Sequence, residues 1–107
     1  SDKVTGVRVV DNQTHEISEI NTSGVFVYVG LKPNTQGFEN LNITNDEGWI
    51  ITDEHMRTTI PGVFAVGDVR AKELRQITTA VGDGSIAGQG VYDYVSALPV
   101  AVNEQVI

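Results

Sequence analysis

The run Thr58-Thr59-Ile60-Pro61-Gly62-Val63-Phe64-Ala65-Val66-Gly67-Asp68-Val69-Arg70 constrains the possible fold more than any other part of the chain. Pro61 locks φ and, followed by Gly62, signals a turn. Val63 to Val66 is a short apolar run, the pattern of a strand covered on both faces. Gly67 ends that strand where a side chain would block an approaching ligand. Asp68 falls just past the strand's carboxyl end, the place where open α/β sheets bind ligands. An acceptor-only carboxylate there suits hydroxyl groups better than phosphates. The expectation is an α/β fold.

The rest of the chain reads around this segment. Residues 4–10 alternate as a half-buried strand does, Asp11 to Thr14 is a turn, and a hairpin to His15–Ile20 follows. Val25 to Val29 is more uniformly apolar and reads as a third, more buried strand, completing a small β-meander. Lys32 to Gln36 is a loop, and the segment holding Phe38, Leu41 and Ile43 has no regular pattern. Trp49 to Thr52 reads as a short strand entered by the Asp46-Glu47-Gly48 turn. One long helix is predicted from Arg75 to Ala97, because Ile77, Ala80 or Val81, Gly84, Gly88, Val91, Val95 and Leu98 recur at the helical period. Pro99 stops it. Gly82, Gly84, Gly88 and Gly90 each cost this helix roughly 1 kcal/mol relative to alanine. Ala80, Gly84 and Gly88 form a flat stripe, so close packing on that face is expected.

Composition removes several classes of function. One domain is the prior at 107 residues, and 40% hydrophobic content is enough for a core. A formal charge of −7 argues against nucleic acid and anionic membrane as partners. No apolar run approaches the roughly 20 residues of a membrane span. The chain has no cysteine, so it carries no thiol–disulfide chemistry itself. His15 and His55 are isolated from any ligand set, which predicts exposed turn histidines and no metal site. Asp2, Asp11, Glu16 and Glu19 read as a solvated face, and Trp49 as a packing residue. Gly82-x-Gly84-x-x-Ala87 matches a dinucleotide fingerprint as a string. It falls inside the helical periodicity with no preceding strand, so the helix-packing reading is preferred.

A second segment, Arg75-Gln76-Ile77-Thr78-Thr79-Ala80-Val81-Gly82-Asp83-Gly84-Ser85-Ile86-Ala87-Gly88, gives the Gly-Asp-Val run a context. Gly-Asp-Val, a short polar link, then Arg-Gln and a Gly-Asp-Gly helix resembles the low-molecular-weight thioredoxin reductases, two-domain flavoprotein disulfide reductases. Gly24 to Gly30 leading into Pro33-Asn34-Thr35 resembles the strand by which that family returns from its nicotinamide domain to its flavin domain. The resemblance runs from about Val4 to Leu98. It implies that residues 1–31 end a nicotinamide-binding domain and that residues 32–107 are the C-terminal part of an FAD-binding, Rossmann-like domain.

The resemblance also implies site residues. Gly67 and Asp68 would contact FAD, Asp68 accepting from a ribityl hydroxyl. Arg75, Gln76 and Ile77 would bring a helix N-terminus to the flavin, where unpartnered N–H groups and partial positive charge favour the reduced, more negative ring. Asn34-Thr35 either lines the cofactor cleft or forms a turn held by its own side chains. The implied enzyme is a cytoplasmic homodimer that passes electrons from NADPH to FAD, to a Cys-x-x-Cys pair and then to thioredoxin. The family's glycine-rich FAD and NADPH fingerprints and its cysteine pair have no counterpart here. The chain therefore reads as the C-terminal third of a longer reductase, inactive alone, with no catalytic residue of its own. Two alternatives stand beside this: a same-fold flavin reductase with a ferredoxin or peroxiredoxin-type partner, and a non-catalytic interaction module.

Overall fold

Alternation along residues 6–21 produces a hairpin. Strand β1 (Gly6–Val10) pairs antiparallel with β2 (Ile17–Asn21), with Val7 opposite Ile20 and Arg8 opposite Glu19. Asp11 builds the turn: its Oδ1 accepts the N–H groups of Gln13 and Thr14 at 2.7 and 2.8 Å. Donation from the Thr14 and Gln13 amides holds its carboxyl below the usual value. The Arg8–Glu19 ion pair at 3.1 Å is exposed and contributes little. The third strand expected at Val25–Val29 is not formed. These residues lie outside regular structure, and Tyr28 and Val29 are 90% and 94% exposed. An apolar run states a demand for burial, and the described part of this segment offers no strand to meet it.

The computed structural model describes residues 2–99, in two compact units, Ser1–Leu31 and Lys32–Ile107. In the second unit Ile50 is central. It bridges antiparallel to Thr44 on one side and parallel to Arg70 on the other. The Ile50 N–H donates to the Val69 carbonyl and the Ala71 N–H to the Ile50 carbonyl, at 2.9 and 2.8 Å. Ile43, Ile50 and Ala65 form the buried core, with Ile60, Val63 and Val69 packed against it. The strands expected at Trp49–Thr52 and Val63–Val66 are reduced to isolated bridges, two at Ile50 and one pairing Phe64 with Arg57. Ala65 and Val63 face the core and Phe64 meets Tyr94 of the helix, whereas Val66 is 40% exposed. The unpatterned segment forms a 3₁₀ helix, Gln36–Leu41. Thr35 is buried, and its hydroxyl donates to the Gly48 carbonyl at 2.7 Å, a link across 13 residues and not a local turn bond.

Helix α1 spans Ile77–Ala97, two residues shorter than expected at its start. Gln76 is the N-cap in extended conformation, and its N–H donates to Thr79 Oγ1 at 3.1 Å. The helical period is present, but the packed face is not the one that it marked. Asp83, Ala87 and Gly90 are buried, with Ala80 and Tyr94 half-buried on the same side. The apolar positions Ile77, Val81, Val91 and Val95 are exposed instead. The helix meets the loops of the second unit through small residues and one carboxylate.

The expected close approach at Gly84 and Gly88 is not found: a Cβ at either would meet nothing within 4 Å among the described residues. Close approach occurs at Gly90, where a Cβ would stand 3.1 Å from the Phe64 ring. Gly84→Ala should therefore raise stability by about 0.5–1 kcal/mol through helix propensity alone. Urea unfolding of the variant would check this, and a loss of stability would mean that the face is covered. No helix among the described residues is long and apolar enough to cross a membrane.

Candidate functional site

Glycine at position 67 is required by the backbone. Its φ is +77°, in the left-handed region, and it opens a 3₁₀ turn, Gly67–Val69, closed by the Arg70 N–H on the Gly67 carbonyl at 3.1 Å. Gly67 is buried and Asp68 is exposed. The Asp68 carboxylate accepts no hydrogen bond from the described residues, whereas its main-chain carbonyl accepts Arg75 Nε at 2.9 Å. An exposed acceptor held on a fixed backbone is what a hydroxyl-bearing ligand needs.

Arg75 lies one residue before the N-cap and is occupied by the protein. Besides Asp68, it donates from Nη2 to the Arg70 carbonyl at 3.0 Å. Its guanidinium lies 3.5 Å from the centre of the Trp49 ring, a cation–π contact. Trp49, expected to be a packing residue, thus serves as a platform, with its indole N–H on Glu47 Oε2 at 3.2 Å. Gln76 and Ile77 are exposed at the start of α1, Ile77 to 83%. The first-turn N–H groups there have no acceptor within the helix.

The residue that sequence reading missed is Asp83. Quoted only as the middle of Gly-Asp-Gly, it is buried, and its Oδ2 accepts three donors. These are the Gly67 N–H at 2.9 Å, Arg70 Nη1 at 2.8 Å and Lys72 Nζ at 2.9 Å. Burial pushes its carboxyl up, but donation from Lys72, Arg70 and the Gly67 amide outweighs this and holds it at about 2. Arg70 also donates from Nε to Thr52 Oγ1 at 2.8 Å. The available signal was the spacing of Asp83, Ala87 and Gly90, which places a carboxylate in line with small residues on one helical face.

Gly67, Asp68, Arg75, Gln76 and Ile77 thus lie on one stretch of loop and helix start within the second unit, Gly67 and Arg75 serving the backbone of the loop. An exposed carboxylate beside a helix N-terminus, itself closed by a capping box between Gln76 and Thr79, offers acceptor and partial positive charge on one stretch of surface. His15 and His55 are both exposed. Among the described residues no group of His, Asp or Glu could hold a metal ion.

Comparison with known proteins supplies the context. Residues 1–84 match the family model of the pyridine nucleotide-disulphide oxidoreductases. The thioredoxin reductase of Listeria monocytogenes is 57% identical over 96 residues, covering 90% of this chain and 30% of that protein. That of Bacillus subtilis is 55% identical over 96 residues, with the same shares. A 34.2 kDa protein in the rubredoxin operon of Clostridium pasteurianum is 48% identical over 88 residues, covering 81% of this chain and 29% of its own length. The crystal structure of Lactococcus lactis thioredoxin reductase superposes with a TM-score of 0.75 at 53% identity, over 88% of this chain and 31% of that one. The chain spans about a third of the length of the relatives it matches. With more than half of its residues covered by the family model, the chain belongs to the pyridine nucleotide-disulphide oxidoreductase family, and the thioredoxin reductases are among its relatives.

Proposed function

We propose that this chain is part of an NADPH- and FAD-dependent thioredoxin-disulfide reductase and contributes one wall of its flavin site. The observation that carries the reading is the exposed Asp68 carboxylate, set on the left-handed Gly67 and next to the start of α1. In this reading residues 1–31 close the nicotinamide-binding domain and residues 32–107 belong to the FAD-binding domain. Asp68 would accept from a hydroxyl of the ribityl chain. Gly67 would keep the approach open, and Arg75 would hold the loop by its main-chain carbonyls. Gln76 and Ile77 would present the helix end to the flavin carbonyl, where partial positive charge favours the reduced ring. FAD would supply the carriage of electrons from nicotinamide to disulfide. The cysteine pair would lie elsewhere in the protein, since this chain contains none. The intact enzyme is proposed to be a cytoplasmic homodimer acting on thioredoxin, and these 107 residues alone to be inactive.

Asp68→Ala in the whole protein should weaken FAD binding. Loss of one hydrogen bond to a charged acceptor costs about 1.5–3 kcal/mol, or roughly ten- to a hundredfold in affinity. Flavin absorbance after exhaustive dialysis measures this directly, and an unchanged flavin content would remove Asp68 from the site. The similarity to the protein of the rubredoxin operon favours testing a second electron acceptor in the same assays. Faster turnover with a ferredoxin or peroxiredoxin-type acceptor than with thioredoxin would select a same-fold flavin reductase. A wild type without flavin would select the non-catalytic module.

A further inference from the structure

We propose that Asp83 is the positioning residue of the Gly67–Lys72 segment, aiming the Asp68 carboxylate at the flavin without meeting the flavin itself. The inference rests on the reading of Asp68 given above. Three successive peptide groups around Asp68 are held, the middle one by its Gly67 carbonyl accepting the Arg70 N–H at 3.1 Å and the outer two from different sides. The one ahead of Gly67 gives its N–H to Asp83 Oδ2 at 2.9 Å. The one after Asp68 gives its carbonyl to Arg75 Nε at 2.9 Å. These bonds restrain the backbone on either side of the Asp68 side chain.

The two anchors are unequal. Arg75 acts on carbonyls from a half-exposed position. Asp83 acts from the buried face of α1, and it also pairs with both Arg70 and Lys72, whose side chains are 13% and 11% exposed. All three donors converge on one carboxylate oxygen, so no single donor can leave without weakening the hold on the segment. Arg70 extends the hold to Thr52, behind the Ile50 bridge. The only salt links between α1 and this segment among the described residues run through Asp83.

The test uses the whole protein, stripped of its flavin, and measures its FAD dissociation constant by fluorescence titration. Asp83→Asn keeps the shape but loses the charge, and should weaken FAD binding about tenfold. In an Asp68→Ala background the same change should alter affinity less than about twofold, because the group being aimed is gone. A merely structural role would weaken binding by the same factor in both backgrounds, and that result overturns the proposal. Lys72→Met removes one donor with little change of shape. It should weaken binding by roughly threefold, and it decides the matter if Asp83→Asn does not fold. Wild-type affinity in either variant overturns the proposal alone. A wild-type protein that takes up no flavin overturns the functional reading and this inference with it.

Discussion

Asp83→Ala should lower the unfolding free energy by about 3 kcal/mol, because it leaves Arg70 and Lys72 as unpaired cations in a largely buried place. Chemical denaturation measures this, and a loss below about 0.5 kcal/mol would show that water reaches the cluster freely. Removing both sides of the pairing separates charge from packing. Asp83→Leu combined with Arg70→Met and Lys72→Met should recover most of the loss, since no charge is then stranded. The pH dependence has a definite sign. The carboxyl is held at about 2 in the folded chain against an ordinary 3.8, so its stabilisation is present above the ordinary value. It is lost as the pH falls through about 2, and after allowance for solvent screening amounts to about 1–2 kcal/mol. The wild type should therefore lose stability more steeply than Asp83→Asn between these two values.

Gly62→Val is expected to be comparably damaging for a different reason. Gly62 sits at φ +83°, and a Cβ there would stand 3.2 Å from the Tyr94 hydroxyl oxygen and 3.3 Å from two ring carbons. Left-handed backbone costs a non-glycine residue roughly 1–2 kcal/mol, and overpacking adds about 1–3 kcal/mol more. Tyr94 is half-buried with its ring set edge-on to Phe64 at 6.4 Å, so making room for the new side chain disturbs that contact. In a Tyr94→Ala background the steric part should vanish while the backbone strain remains. Equal losses in both backgrounds would mean that the Pro61-Gly62 turn does not rest on Tyr94.

Local chemistry was the legible part of this fold. The Pro61-Gly62 and Asp46-Glu47-Gly48 turns, the β1–β2 hairpin and the long helix all follow from residues whose conformational preferences act within a few positions. Gly67 was legible as a position wanting glycine, though for an open approach and not for the positive φ that the backbone has there. What escaped was partnership at a distance. Asp83 and Gly67 are 16 residues apart, and nothing in a Gly-Asp-Gly string names the amide that the carboxylate will accept. The helical face was misjudged for a related reason. Periodicity weighs apolar residues, and it favoured Val81, Val91 and Val95 over a buried line consisting of an aspartate, an alanine and a glycine. Val25 to Val29 shows the converse, a run whose apolarity was read as burial although no described strand covers it. The first two positions assigned to the helix, Arg75 and Gln76, lie outside it, because Arg75 holds loop carbonyls and Gln76 takes the extended conformation of a cap.

Trp49 is the chain's only tryptophan, and its ring lies against the guanidinium that holds the Asp68 and Arg70 carbonyls. Indole emission responds to a cation over its face. The chain therefore carries its own optical gauge: any loosening of the loop at Asp68 that frees Arg75 changes the signal of one chromophore, with no label attached.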